Sequence, residues 1–174
     1  VVHFSGREQL CRPYDYDLLI KSKNLELDLE DIAEDCLFKF SLGESTHRVH
    51  GILSKFEQLQ KVGDHALYRV CLVPHLWRLG LFKTNEVYLD LDVEKTLKQA
   101  LEEGGLIDGK DFDCQLSAHY RDWAFRVQYQ ETHLDFVHRI MEREGIYYFF
   151  DQSGDQEKVM ITDSSSDHIS MHEP

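Results

Sequence analysis

The chain has 174 residues and a formal charge of −13, from 32 acidic against 19 basic side chains. That balance argues against a nucleic-acid partner, which needs Lys and Arg gathered to neutralise phosphate, and no such cluster is present. The length allows one domain or two small ones with a proper core.

No apolar run approaches the roughly 20 residues of a membrane span, and no basic-then-apolar leader opens the sequence. The first residue is Val rather than Met, as in a piece of something longer. Cys11, Cys36, Cys71 and Cys114 are scattered, without a CxxC pair. Three of them sit among apolar or alternating residues, so reduced, mostly buried thiols are expected in place of disulfides or a zinc ribbon.

From the start, VVHFSGREQLCRPYDYDLLIKS reads as a short strand, a turn at Ser5-Gly6 and a second strand. In the latter, Tyr14, Tyr16, Leu18 and Ile20 alternate with Asp15, Asp17, Leu19 and Lys21, the two-residue period of a half-buried strand. Asp28 to Asp35 is an acidic connector with room for one helical turn. Cys36, Phe38, Phe40 and Leu42 repeat the alternation up to Gly43. Thr46 to Leu59 is a long β segment interrupted by Gly51, which marks a bulge or corner. After a turn at Gly63-Asp64, Leu67 to Val73 is a further strand, stopped by Pro74. Leu76, Trp77, Leu79 and Leu81 continue the apolar supply. Such spacing suits a small antiparallel barrel or sandwich.

The composition changes near Asp92. Val93, Thr96, Leu97, Ala100 and Leu101 make a helical stripe, with Asp92 as N-cap and Gly104-Gly105 as stop. Phe112 to Ala118 alternates again, and Phe125, Val127 and Tyr129 lead into the best-marked helix. There Thr132 and Asp135 form a capping box, and Leu134, Val137, Ile140 and Met141 form the apolar stripe. Phe136 is a core position of this helix, and Gly145 ends it in the left-handed conformation. Ile146 to Phe150 is an aromatic strand, Asp151 to Asp155 a hairpin turn and Val159 to Ile161 the return strand. The tail from Asp163 has little that could pack. Thr132, Asp135, Phe136 and Gly145 are therefore structural residues.

No catalytic, metal or cofactor set emerges. His47 and His50 point to opposite faces of a strand, while His133 and His138 lie off one another's helix face. No G-x-S-x-G elbow or phosphate-cradling glycine loop is present. The scattered carboxylate pairs fit a solvated face. Trp77, Trp123 and Tyr147 to Phe150 could make a carbohydrate platform, but aromatics more often fill cores.

Tyr120 to Phe150 resembles the signature of the VgrG family, the spike of the bacterial type VI secretion system. The matching pieces are Arg121-Asp122, Phe125, Gln128-Tyr129, Glu131-Thr132, Phe136-Val137-His138-Arg139 and Glu142 to Ile146. Leu67 to Val70 through Pro74 to Leu79, His50-Gly51-Ile52, and Arg7 to Leu10 through Pro13-Tyr14 are similar in turn. Thr132 stands where the family usually has Ser, a change that keeps the cap. The resemblance covers only the first part of the family's hub region; the rest of the second barrel, the OB-like neck and the β-helix needle lie outside it.

It implies an α+β, β-rich, phage baseplate hub-like fold: a small antiparallel β-barrel, a helical and β connecting segment, and the start of a second barrel. The corresponding divisions are residues 1–91, 92–145 and 146–174. It further implies a homotrimer in the full-length protein and docking on a ring of the Hcp tube protein. Assembly would take place in the bacterial cytoplasm, with export by sheath contraction and no signal peptide. The membrane is met only by mechanical penetration, and no cofactor or enzymatic activity is involved. This part alone is expected to be mostly monomeric. The alternatives are a contractile phage or tailocin baseplate hub and, from other classes, a metal-dependent hydrolase or a carbohydrate-binding module.

Overall fold

The computed structural model describes residues 1–27 and 35–164, and the chain divides into two units, 1–74 and 75–174. All but Asp35 of the acidic connector, and the tail from residue 165, lie outside the described residues.

The first unit is one antiparallel sheet of β1 (His3–Gln9), β2 (Arg12–Ser22), β3 (Cys36–Leu42), β4 (Ser45–Val62) and β5 (His65–Val73), in the order β1-β2-β5-β4-β3. The sheet curls until its two edges meet. The ring of Phe4 on β1 lies 5.1 Å from Phe38 and 4.9 Å from Phe40, both on the far edge strand β3. The edges thus touch through aromatic rings while their backbones stay outside each other's ladder, giving a half-closed barrel. Tyr14, Tyr16, Leu18, Tyr68, Val70 and Leu72 fill its interior. Tyr14 donates its hydroxyl proton to the His50 carbonyl at 2.5 Å.

Two glycines make this curl possible. Residues 45–51 of β4 pair with β3 and residues 52–62 with β5, so the strand changes partner at Gly51. There φ is +147°, and a Cβ would lie 2.3 Å from the Val73 carbonyl oxygen. The corner expected at this glycine is therefore present. Gly6 behaves differently from expectation. It sits inside β1 opposite Tyr16, and a Cβ there would come 2.2 Å from the ring. The small residue makes room for an aromatic across the ladder, and the turn falls instead at Leu10-Cys11, where Cys11 has φ 57°.

The second unit begins with a 3₁₀ turn at His75–Gly80 and continues through β6 (Lys83–Leu91), α1 (Val93–Glu103), β7 (Phe112–Gln115), β8 (Trp123–Thr132), α2 (His133–Glu144), β9 (Tyr147–Asp151) and β10 (Lys158–Thr162). Strand β6 was not evident in the sequence. It pairs with β8 from Lys83↔Thr132 to Leu91↔Trp123, across the intervening residues 92–122. This pairing moves the boundary expected at residue 92 back to Pro74/His75. The ladder partner of β6 lies in the second unit, and Leu76 and Leu79 of the 3₁₀ turn are buried there too. Leu79 packs so close to Gly104 that a Cβ would sit 2.5 Å from its Cγ.

Residues 146–164 also belong to this unit, because β9 and β10 form a hairpin that joins β7 in the order β7-β10-β9. The β7–β10 pair is parallel, unlike the antiparallel pairing elsewhere in the described strands. Helices α1 and α2 bury Val93, Leu97, Ala100 and Leu101 together with Phe136, Val137, Ile140 and Met141.

Candidate interaction surface

The geometry that distinguishes the second unit is how the β6–β8 ribbon is mounted on the helices. Alternation along β6 and β8 puts Tyr88, Arg126 and Gln128 on the mounted side. Tyr88 stacks on Phe136 with ring centres 4.9 Å apart and planes at 17°. Its hydroxyl contacts Glu103 Oε2 at 2.8 Å and Gln128 Oε1 at 3.2 Å. Burial and the Glu103 carboxylate together push the Tyr88 phenol far above its ordinary pKa. The Gln128 amide, fully buried, donates to Thr84 Oγ1 at 2.7 Å and to the Glu131 carbonyl at 3.1 Å. A buried amide satisfied on both ends costs little and fixes the ribbon in one orientation.

Arg126 ties the far end of the ribbon to α1. Its Nη1 donates to the carbonyls of Leu91 and Asp92 and to Thr96 Oγ1, at 3.1, 3.2 and 2.8 Å. Burial lowers its pKa, with Arg143 and Arg121 adding like charge. Arg121, Arg126 and Arg143 surround the Trp123 ring at 4.0, 5.3 and 4.4 Å from its centre. A groove of about 230 Å³ runs between β8 and α2 beside this cluster. Asp92 caps α1, accepting from the Lys95 backbone N–H at 2.8 Å. Burial opposes its charge, but Lys95 outweighs that effect and its carboxyl stays below the usual range.

The residues singled out from sequence lie on α2 or cap its ends. Thr132 Oγ1 accepts from the Asp135 N–H at 3.0 Å and donates to Asp135 Oδ2 at 2.8 Å. The carboxylate thus orients the hydroxyl, whereas a full capping box would have it reach a backbone donor. Phe136 is fully buried. Gly145 has φ 74°, and its N–H bonds the Met141 carbonyl. Gln128, Arg126, Tyr88 and Asp163 were not identified as anchoring residues by sequence reasoning. For Gln128 the available signal was the Gln-Tyr pair of the family resemblance. Asp163, placed in a tail with little to pack, accepts from Ser117 N, Ala118 N and Tyr120 Oη at 2.8, 2.9 and 3.0 Å.

Elsewhere, the buried Glu157 accepts from the His75 backbone N–H at 2.7 Å and lies the same distance from its Nδ1, fastening the 3₁₀ turn. His138 Nε2 meets the Tyr148 hydroxyl at 2.9 Å. Among the described residues, no three His, Cys, Asp or Glu side chains are grouped to hold a metal ion. Burial pushes the Cys114 thiol up to about 12, far from nucleophilic use. Nor is any described helix long and apolar enough to cross a membrane. The arrangement is suited to holding a surface in place.

The comparisons with known proteins agree with that character. The family of the phage tail baseplate hub (GPD) matches residues 7–174. The type VI secretion system spike protein VgrG1b of Pseudomonas aeruginosa is 35% identical over 167 residues, covering 95% of this chain and 22% of its own length. The chain thus spans about a quarter or less of the spike proteins it matches. A solved Escherichia coli protein, c3393, described as a type VI secretion component similar to T4 tail proteins gp27 and gp5, superposes with a TM-score of 0.84. It is 30% identical, over 94% of this chain and 45% of the solved one. The 43 kDa tail protein of prophage MuSo2 from Shewanella oneidensis shares the fold alone, at 12% identity and a TM-score of 0.59, over 91% of this chain and 48% of its own. On the hub match, which runs through both units, the chain belongs to the phage tail baseplate hub family.

Proposed function

We propose that this chain is the hub part of a type VI spike, a mechanical component that forms a socket for the tube. In the full polypeptide it assembles as a homotrimer, seats a ring of the Hcp tube protein and is driven into target cells by sheath contraction. Assembly takes place in the bacterial cytoplasm, and the assembled spike is exported through the type VI machinery. The observation that carries this reading is a hub-family match over residues 7–174 combined with a type VI spike relative at 35% identity. The mounted ribbon and the half-closed barrel fit such a role, since both are held by packing and satisfied hydrogen bonds rather than arranged around a reacting atom. The phage or tailocin baseplate reading shares the hub-family match, but the prophage tail protein adds only a likeness at 12% identity, which speaks to fold alone, whereas the spike relative reaches 35%.

The test is replacement. This chain is substituted for the corresponding segment of the Pseudomonas aeruginosa spike VgrG1b, and Hcp export is measured. Export retained at a substantial level supports the reading. A folded, stably expressed replacement that neither exports nor retains Hcp counts against it.

A further inference from the structure

Four arginines meet at the groove between β8 and α2, in a chain whose formal charge is −13. Arg126, Arg139 and Arg143 line it against one carboxylate, Glu144, and Arg121 lies on Trp123 at its wall. Two of the four are committed to the fold: Arg126 holds the start of α1, and Arg139 is paired with Glu131 and the Val127 carbonyl. The other two are not. Arg143 Nε lies 3.8 Å from Glu144 Oε1, too far for a hydrogen bond, and among the described residues Arg121 has neither a hydrogen bond nor an ion pair. The guanidinium carbons of Arg121 and Arg143 lie instead 4.0 and 4.4 Å from the centre of the Trp123 ring. An indole face attracts a guanidinium but leaves its N–H edge free to donate. Arg126 Nη2 is likewise buried without a hydrogen-bond partner. Burial lowers the Arg126 pKa and Arg143 and Arg121 add like charge, which Glu144 and Asp92 oppose.

We infer that this groove docks an acidic peptide segment of a partner protein, with an apolar side chain against Trp123, Val127 and Ile140 and an adjoining carboxylate on Arg121 or Arg143. The inference stands on the groove alone and does not depend on the spike reading above. Two observations select this occupant. The first is charge: guanidinium groups gathered locally in an otherwise acidic chain attract a carboxylate, which is how arginine clusters read acidic motifs. The second is the lining. At about 230 Å³ the groove falls below the roughly 300–1,000 Å³ of small-molecule pockets, so it suits a side chain rather than a cofactor. Its apolar wall offers nothing to the oxygens of a phosphate, but it fits a Leu, Ile or Phe close in sequence to an Asp or Glu. A forked guanidinium–carboxylate contact then fixes the register of the peptide.

A peptide array tests this with the 174-residue chain. Short peptides that pair Asp or Glu with Leu, Ile or Phe are compared with the same peptides carrying Asn or Gln in place of the acid. The expected result is binding to acidic members alone, although the chain at large repels them. For the tightest of these, titration calorimetry should show an affinity that falls as salt rises and drops about tenfold or more in Arg121→Gln/Arg143→Gln, which keeps the parent's thermal melt. Lys39→Gln/Arg48→Gln removes the same charge from an exposed pair on β3 and β4 and should leave the affinity as it is. An array without an acidic binder overturns the inference, as does equal weakening by the two double variants. Preference for inorganic phosphate over the carboxylate peptides overturns it too. So does self-association of the parent chain that Arg121→Gln/Arg143→Gln abolishes, since a second copy would then be the occupant.

Discussion

In β2, Tyr14, Tyr16 and Leu18 lie inside the curled sheet, while Asp15 and Asp17 face outward, where Asp17 accepts a forked contact from Arg69 Nε and Nη2. In β8, Gln128 lies inside and Phe125, Val127 and Tyr129 lie outside. The two strands share a period and use it in opposite senses. Alternation fixes which residues share a face, but the side that is buried depends on what the rest of the molecule places there. Around β2 the curl supplies an apolar interior. Against β8 the second unit supplies the Tyr88 and Thr84 hydroxyls and the Glu131 carbonyl, which complete the hydrogen bonds of one amide.

The largest expected effect lies where the ribbon meets α2. Phe136→Asp puts a carboxylate against the Tyr88 ring with no room for water, at a cost of several kcal/mol. The chain is then expected to be insoluble or to lack a cooperative melt by circular dichroism. A soluble variant with a native melt would show that the ribbon is not mounted through this ring pair. In the first unit the matching break is Gly51→Ala. It forces a side chain into φ +147° and against the Val73 carbonyl, for a loss of about 2–4 kcal/mol from strain and overlap together. Chemical denaturation should show the first unit losing its transition while the second keeps its own.

The comparison between the two faces of β8 becomes sharper with a pair of variants. Gln128→Leu takes the amide donor from the Thr84 hydroxyl and the Glu131 carbonyl and leaves the Tyr88 hydroxyl with Glu103 alone, and should cost about 1–3 kcal/mol, although it makes the interior more apolar. Val127→Thr on the open face should stay within about 0.5 kcal/mol. If the ribbon were conventional, the order would reverse, and urea midpoints of the two variants decide the matter.

How much of this was legible follows the same division. Helix α2 could be read because its cap, stripe and stop are all local: Thr132, Leu134 to Met141, and Gly145. The corner at Gly51 could be read because only a glycine tolerates it. Strand β6 was hidden because KTNEVYLDL has a weak period, and its pairing with β8 is fixed by residues some 40 positions away. That one pairing also moved the boundary from residue 92 to 75. Gly6 was misread as a turn because a glycine that makes room for a ring looks the same in sequence as one that bends the chain. Asp163 was passed over because its partners, Ser117 and Ala118, are backbone donors, which carry no side-chain signature.

Asp163 also gives the most selective prediction. Burial disfavours its charge, but the N–H groups of Ser117 and Ala118 and the Tyr120 hydroxyl outweigh that and hold its pKa below the usual carboxylate value. On acidification the unfolded chain therefore takes up this proton before the folded one. The contribution is complete above the ordinary carboxylate pKa and is lost as pH falls through the lower, folded value. For Tyr120 burial comes first, then the Asp163 bond, raising its pKa to about 12. Its share is complete below the ordinary phenol pKa and is lost as pH rises toward 12. One contact thus shapes both limbs of the stability profile. Asp163→Asn keeps a single acceptor and should cost about 1–2 kcal/mol at neutral pH, while flattening the acid limb. Tyr120→Phe should remove part of the alkaline limb and leave the acid limb largely in place. Thermal melts across pH, taken as differences from the parent chain, separate these from the other buried phenols, Tyr16 and Tyr88, whose pKa values are also raised. An Asp163→Asn chain whose acid limb matches the parent would mean that the loop of residues 117–120 is held by its neighbours and not by this carboxylate.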